Sequence, residues 1–221
     1  MNLQQQSDKL TQDFLAQSPL KIVENIQMGF EEIINRKLDR HALSTGDIAP
    51  DFSLPNANHQ EITLTKELKK GTVVVTFYRG GWCPFCNLQL RAYQQILDRI
   101  QSLGASLIAI SPELPDNSLS TQEKNELQFE VLSDRENLVA QEYGLVFTTP
   151  EAHQKAHLDL DIPLPEINGD DSWKIPITAT YIIDRNRTIA WSHTNPNYRQ
   201  RAEPEEILQA LTSLQQVSPA A

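Results

Sequence analysis

Both cysteines of this 221-residue chain fall in one stretch, Phe77-Tyr78-Arg79-Gly80-Gly81-Trp82-Cys83-Pro84-Phe85-Cys86. They form a Cys-x-x-Cys unit. The thiolate of such a pair is a nucleophile, a leaving group and one half of a disulfide. A chain that keeps all its thiols together in this way reads most simply as carrying one redox centre. The i, i+3 spacing predicts that the two side chains share one helical face, so that a disulfide between them is geometrically accessible. Pro84 limits the backbone inside the motif and removes one competing N–H. Gly80 and Gly81 before the motif, with Pro84 inside it, signal a tight exposed turn.

Two plainer readings of the same residues stand beside this one. A closed zinc site needs two further ligands. The five histidines are His41, His59, His153, His157 and His193, and His153 with His157 at i, i+4 would complete a Cys2His2 set. That pair lies in a segment without a clear period, and a strand-to-helix turn is an unusual place for a closed structural site. The other plain reading, two inert core cysteines, is opposed by the flanking glycines and proline.

The elements that must position the pair follow from periodicity. Thr72 to Tyr78, with Val73-Val74-Val75, is a β-branched run and reads as a buried central strand. Leu88, Ala92, Ile96, Leu97, Ile100 and Leu103 predict one helix, stopped by Gly104. Ser106 to Ile110 is the next buried strand, which makes a βαβ unit with parallel strands. The cysteines therefore sit where a strand ends and a helix begins, the crevice in which open α/β sheets place function. Unpaired N–H groups and the positive end of the helix dipole stabilise a thiolate there.

Around that unit, residues 51–55 and 61–64 predict a short hairpin. Ser118 to Leu127 predicts a polar helix, Phe129 to Leu132 a strand, and Asn137 to Tyr143 a short helix capped by Gly144. Thr149 to Lys174, rich in proline and acid, predicts a long functional or mobile loop. Thr180 to Asp184 and Thr188 to His193 predict a hairpin, and Glu203 to Leu214 a closing helix with Pro204 in its first turn. Ahead of all this, residues 1–9 are polar and expected to fray. Apolar positions recur at helical spacing from Leu10 to Leu38, divided by Pro19. The whole is α/β: a central mixed sheet flanked by helices, comprising an N-terminal helical arm (1–45) and a main domain (46–221). The arm is expected to pack on that domain or on a second subunit.

With 19 Lys and Arg against 29 Asp and Glu, the net charge of −10 argues against nucleic acid or an anionic membrane surface as a partner. No apolar run approaches the length of a membrane span. Met1 to Asp13 lacks the basic-then-apolar pattern of a signal peptide, so the cytoplasm is the expected compartment and the disulfide is expected to be transient and catalytic.

Several segments resemble the peroxiredoxin-like branch of the thioredoxin fold, the alkyl hydroperoxide reductase/thiol-specific antioxidant superfamily. They are Gly46-Asp47-Ile48-Ala49-Pro50-Asp51-Phe52-Ser53-Leu54, Val75-Thr76-Phe77-Tyr78, Leu132-Ser133-Asp134, Tyr143-Gly144, Tyr181-Ile182-Ile183-Asp184 and Asn197-Tyr198-Arg199-Gln200-Arg201-Ala202-Glu203-Pro204. The resemblance implies a thioredoxin-like fold and places the peroxidatic cysteine on Cys86. It also exposes departures. The family's proline and threonine fall on Arg79 and Cys83, and its distant arginine falls near Thr178. Arg79, Arg91, Arg199 and Arg201 are the candidates for a replacement charge. Trp82-Cys83-Pro84-Phe85-Cys86 is also similar to the Trp-Cys-x-x-Cys of thioredoxins, which implies the opposite roles, with Cys83 attacking and Cys86 resolving. The thioredoxin cis-proline has its counterpart at Thr178, with Pro176 two residues earlier.

These readings give a thiol-dependent peroxidase that reduces hydroperoxides through Cys86 and Cys83 by way of an intramolecular disulfide. Thioredoxin or glutathione serves as reductant, and no metal, haem or flavin is required. The alternatives are a thioredoxin-like protein disulfide oxidoreductase, and a redox-sensing binding protein that switches a partner surface through the arm or the 149–174 segment. Trp82 is expected to cover the thiols and shape substrate access, and Arg79 to lower a thiol pKa. His193 at a strand end is a candidate proton donor, with a structural role as its plainer reading. The resemblance also admits a homodimer.

Overall fold

The computed structural model describes residues 1–217. The chain opens with helix α1 (Leu3–Gln17) and helix α2 (Leu20–Asn35). Pro19 is the N-cap of α2, so the division at the proline holds. The fraying expected of residues 1–9 does not occur. Asn2 accepts from the Gln5 N–H, and the Gln5 side chain returns to the Asn2 N–H, closing a capping box. Glu203 accepts from the next orphan donors, Leu3 N–H at 3.0 Å and Gln4 N–H at 2.8 Å.

Next come the antiparallel pair β1 (Ser53–Pro55) and β2 (Glu61–Thr63), the short helix α3 (Leu64–Leu68), and strand β3 (Thr72–Phe77). The helix expected after the cysteines is two helices, α4 (Pro84–Gln95) and α5 (Leu97–Ser102). The break falls at Ile96, at φ −108° and ψ 7°, where its N–H reaches Tyr93 O in a tightened turn. Both Leu97 and Ile100 of α5 are buried. Strand β4 (Ala105–Ser111), helix α6 (Pro115–Lys124), strand β5 (Glu130–Ser133) and helix α7 (Leu138–Glu142) follow close to their expected places.

The long loop expected between Thr149 and Lys174 is not a loop. After the short strand β6 (Val146–Thr148) it folds into α8 (Glu151–Asp159) and α9 (Leu164–Asn168), then β7 (Lys174–Pro176), which pairs antiparallel with β6. Its apolar residues are too few to show a period, and its helices are held by tertiary contact instead. The chief contact is α2 against α8, where Gly29 lets the helices close in. A Cβ there would sit 2.7 Å from the His153 ring. Strands β8 (Thr178–Ile183) and β9 (Ile189–Asn195) and helix α10 (Pro204–Val217) complete the chain.

Five strands form the central sheet in the order β5-β4-β3-β8-β9. The pairs β3–β4 and β4–β5 are parallel, while β3–β8 and β8–β9 are antiparallel. β3 is therefore central, as its valine run predicts. Its side chains alternate between two cores: Val73, Val75 and Phe77 face one, and Val74 faces the other with α4, α5 and α10. No helix is long and apolar enough to cross a membrane among the described residues.

Candidate active site

Cys83 is the N-cap of α4 and Pro84 occupies its first turn, so the pair sits at the strand-to-helix junction. Cys83 C=O accepts from Cys86 N–H at 3.0 Å and from Asn87 N–H at 3.1 Å. Both cysteines are free thiols. The exposed turn expected from Gly80, Gly81 and Pro84 is not present. Cys83 is 1% exposed, Cys86 0%, and Gly80 is buried, while Pro84 alone of the Cys-x-x-Cys is exposed. The reason is what packs over the turn: Trp82 and Phe85 above it, and the acid Glu113 behind it.

The charge expected from an arginine is supplied by Arg201. Its Nη2 donates to Cys86 Sγ at 3.4 Å, its Nη1 to Gln89 Oε1 at 2.6 Å, and its Nε to Tyr198 O at 2.8 Å. Gln89 is held in turn by Tyr93 Oη at 2.9 Å, and Tyr93 Oη donates to Ala202 O at 3.1 Å. A satisfied buried network therefore fixes the guanidinium against one sulfur. Of the other candidates, Arg91 bonds Asn125 Oδ1 and Arg199 lies over Phe30, 4.3 Å from the ring centroid. Arg79 is 4% exposed and sits between two rings, 4.7 Å from Trp82 and 4.1 Å from Tyr198. Thr178, where the resemblance places an arginine and a proline, is buried at the start of β8 with its hydroxyl unpartnered.

These surroundings treat the two thiols differently. Burial pushes Cys83 well above the usual thiol value, and its hydrogen bond to Cys86 and the charge of Cys86 push the same way. Burial opposes the thiolate at Cys86 too. There the Cys83 hydrogen bond and the charges of Arg201 and Arg79 outweigh it, and Cys86 is held well below the usual value. The 3.4 Å contact from Arg201 Nη2 acts in that direction at Cys86.

Glu113 is the residue that the sequence reading missed. It is 2% exposed and accepts from Gly81 N–H at 2.9 Å. Burial raises its carboxyl to about 7, opposed by the Gly81 hydrogen bond and reinforced by the charge of Cys86. Its position just past the C-terminal end of β4 was a signal available in sequence, since that end of the sheet is where function collects. His193, the candidate proton donor, lies on β9 with Nε2 unpartnered and its pKa lowered by burial.

A cavity of about 410 Å³ is lined by Trp82, Cys83, Phe85, Arg79 and Tyr198 from the site, and by residues of α1, α2 and α8 opposite. Cys83 lines it and Cys86 does not. His157 lies edge-on to Trp82 at 4.9 Å, and His153 Nε2 meets Ile26 O at 2.8 Å. The two histidines thus serve the packing of α8. No group of three or more His, Cys, Asp or Glu gathers as a metal site among the described residues.

A mixed sheet with a Cys-x-x-Cys at the junction of its central strand and a helix, and a buried arginine donating to the second sulfur, is the arrangement of a peroxiredoxin-like protein of the thioredoxin fold. Comparison with known proteins makes this more particular. The AhpC/TSA family model matches residues 45–192, well over half the chain, and the chain belongs to that family. It is 32% identical over 103 residues to peroxiredoxin Bcp of Escherichia coli strain K12, an alignment covering 47% of this chain and 65% of that protein. The chain thus spans somewhat less than two-thirds of the length of that relative. It is 26% identical over 171 residues to the chloroplastic peroxiredoxin Q of Gentiana triflora, covering 77% and 68% of the two chains. Among solved structures, peroxidoxin BcpB of Mycobacterium tuberculosis superposes with a TM-score of 0.61 at 20% identity, covering 78% of this chain and 98% of that one.

Proposed function

We propose that this chain is a thiol-dependent peroxidase in which Cys86 attacks and Cys83 resolves. The observation that carries the assignment is the Arg201 Nη2 contact to Cys86 Sγ at 3.4 Å, which favours the thiolate at that sulfur. Cys86 thiolate attacks the terminal oxygen of a hydroperoxide, the O–O bond breaks, and the alkoxide leaves and takes a proton. Cys86 is then a sulfenic acid. Cys83 condenses with it, forming the Cys83–Cys86 disulfide and releasing water. An external thiol of the thioredoxin or glutathione type returns both sulfurs to the reduced state. Trp82 and Arg79 line the approach to the pair, with Arg79 adding positive charge. The family resemblance supports a homodimer, and an acidic chain with a redox-active pair agrees with a cytoplasmic setting.

Residues 1–45 act as an N-terminal helical arm to the 46–221 domain, a reading supported by the residues of α1 and α2 that line the cavity above Cys83. The second reading, a protein disulfide oxidoreductase that attacks through Cys83, is favoured by one observation: Cys83 is the sulfur that faces the cavity. Steady-state peroxide consumption with a thiol reductant separates the two. The peroxidase reading expects turnover that is lost in Cys86→Ser. Disulfide exchange without peroxide turnover supports the alternative.

A further inference from the structure

Three cations meet around the cavity above Cys83: Arg79, Lys124 and Arg199. Its lining contains no aspartate or glutamate, although the whole chain carries a net charge of −10. Among the described residues none of the three has a carboxylate partner within salt-bridge distance. The Nε atoms of Arg79 and Arg199 are buried with no hydrogen-bond partner. Arg79 is buried and Arg199 half-buried, each set against aromatic rings with no carboxylate at salt-bridge distance, so the arrangement is complementary to a negatively charged ligand. Apart from Thr11, Asn87 and His157 the rest of the wall is apolar, with Phe14 of α1, Ile26 of α2 and Leu160 just after α8 lining it together with Trp82, Phe85 and Tyr198. The volume, about 410 Å³, suits a small molecule.

The sulfur offered to this cavity decides what reacts in it. In the oxidised protein an incoming thiolate meets Cys83 Sγ first, and the sulfur expelled is Cys86. Exchange runs best when the sulfur expelled is the better-stabilised thiolate, and Cys86 has Arg201 against it. A protein reductant must bring its own thiolate to a sulfur that is 1% exposed beneath Trp82 and three helices. A small thiol needs only to enter the cavity.

We propose that the reductant of this protein is a low-molecular-weight anionic thiol with an apolar body, which enters the cavity of α1, α2 and α8 and attacks Cys83. The proposal rests on the reading of Cys83 and Cys86 as a redox pair. The reductant thiolate forms a mixed disulfide with Cys83 and releases Cys86 as thiolate, ready for the next oxidation. A second reductant thiolate attacks the reductant sulfur of the mixed disulfide. It leaves as a symmetric disulfide, and Cys83 takes up a proton.

The test starts from full-length protein oxidised with diamide, so that it is independent of peroxide. Reduction is followed by intact mass with 3-mercaptopropionate, 2-mercaptoethanol, cysteamine, 4-mercaptobenzoate and a thioredoxin, and each rate is divided by the rate of the same thiol with a small neutral disulfide, which removes differences in thiolate fraction and intrinsic nucleophilicity. We expect 3-mercaptopropionate to exceed cysteamine by tenfold or more, 2-mercaptoethanol to fall between, and 4-mercaptobenzoate to lead. We expect the thioredoxin to be slower than 4-mercaptobenzoate at equal concentration. Lys124→Glu, an exposed position, should reduce the anion-over-cation ratio at least threefold, and Arg199→Glu should do the same. A thioredoxin faster than every small thiol, or a ratio near one in wild type, overturns the proposal. Failure of diamide to give any Cys83–Cys86 disulfide overturns the redox-pair reading beneath it.

Discussion

Arg201 Nη2 lies 3.4 Å from Cys86 Sγ, and the same guanidinium bonds Gln89 and Tyr198 O. The contact joins α4 to the segment just before α10, which are far apart in sequence. Arg201→Gln removes the charge and leaves a polar side chain. A charge-assisted hydrogen bond is worth about 1.5–3 kcal/mol, so peroxide oxidation of Cys86 at neutral pH should slow roughly 10- to 100-fold. Thiolate absorbance near 240 nm against pH should show the Cys86 titration moved upward. Arg201→Lys should recover part of both.

Glu113 predicts a pH dependence of stability. Its carboxyl is raised from 4.5 to about 7 in the folded protein, so between those values the folded state binds more protons than the unfolded state. The stability linked to it is fully present below about 4.5 and is lost as pH rises through about 7. The loss should be on the order of 1–3 kcal/mol. In urea unfolding, the unfolding free energy at pH 8 minus that at pH 5 should be more positive for Glu113→Gln than for wild type, since the variant lacks this loss. Asp134, raised to about 6 by burial, acts in the same direction, whereas His153, His157 and His193, whose pKa values burial lowers, act against it, because they stay neutral in the folded protein while the unfolded chain takes up protons below about 6.5.

Gly81 predicts a steric effect. A Cβ there would lie 2.0 Å from Thr121 Oγ1. Gly81→Ala should destabilise by about 1–3 kcal/mol, the usual cost of overpacking. It should also disturb the Gly81 N–H bond to Glu113. Pairing it with Thr121→Ser keeps the hydroxyl and should not restore stability, whereas Thr121→Ala should restore part of it in thermal melts.

Glu203 predicts how α1 is held. It accepts from Leu3 N–H and Gln4 N–H, and Ser7 Oγ donates to Arg199 O at 2.6 Å. Glu203→Ala should cost about 1 kcal/mol, typical of a lost helix cap. Amide hydrogen exchange should quicken over Leu3–Gln17 while β3 stays protected.

What could be read from sequence follows physical lines. The valine run fixed β3 as the buried centre, and two cysteines with a proline between them fixed the helix start. Neither depends on distant residues. Arg201 was one of four candidate arginines, because only the folded chain brings the segment before α10 against α4. Glu113 was passed over because a lone acid in a loop carries no pattern until it is buried. The α8 and α9 segments carry no periodicity of their own, and α8 is held by contact with α2, including the Gly29–His153 approach, which no local pattern shows.

In the proposed cycle Cys86 attacks and Cys83 resolves. Reduced wild type, Cys83→Ser and Cys86→Ser should each be mixed with one equivalent of hydrogen peroxide and followed by intact mass in a single turnover. Wild type should lose two hydrogens, Cys83→Ser should quickly gain one oxygen, and Cys86→Ser should react no faster than a free thiol. Rapid gain of oxygen by Cys86→Ser, with a slow Cys83→Ser, would contradict it and assign the attack to Cys83.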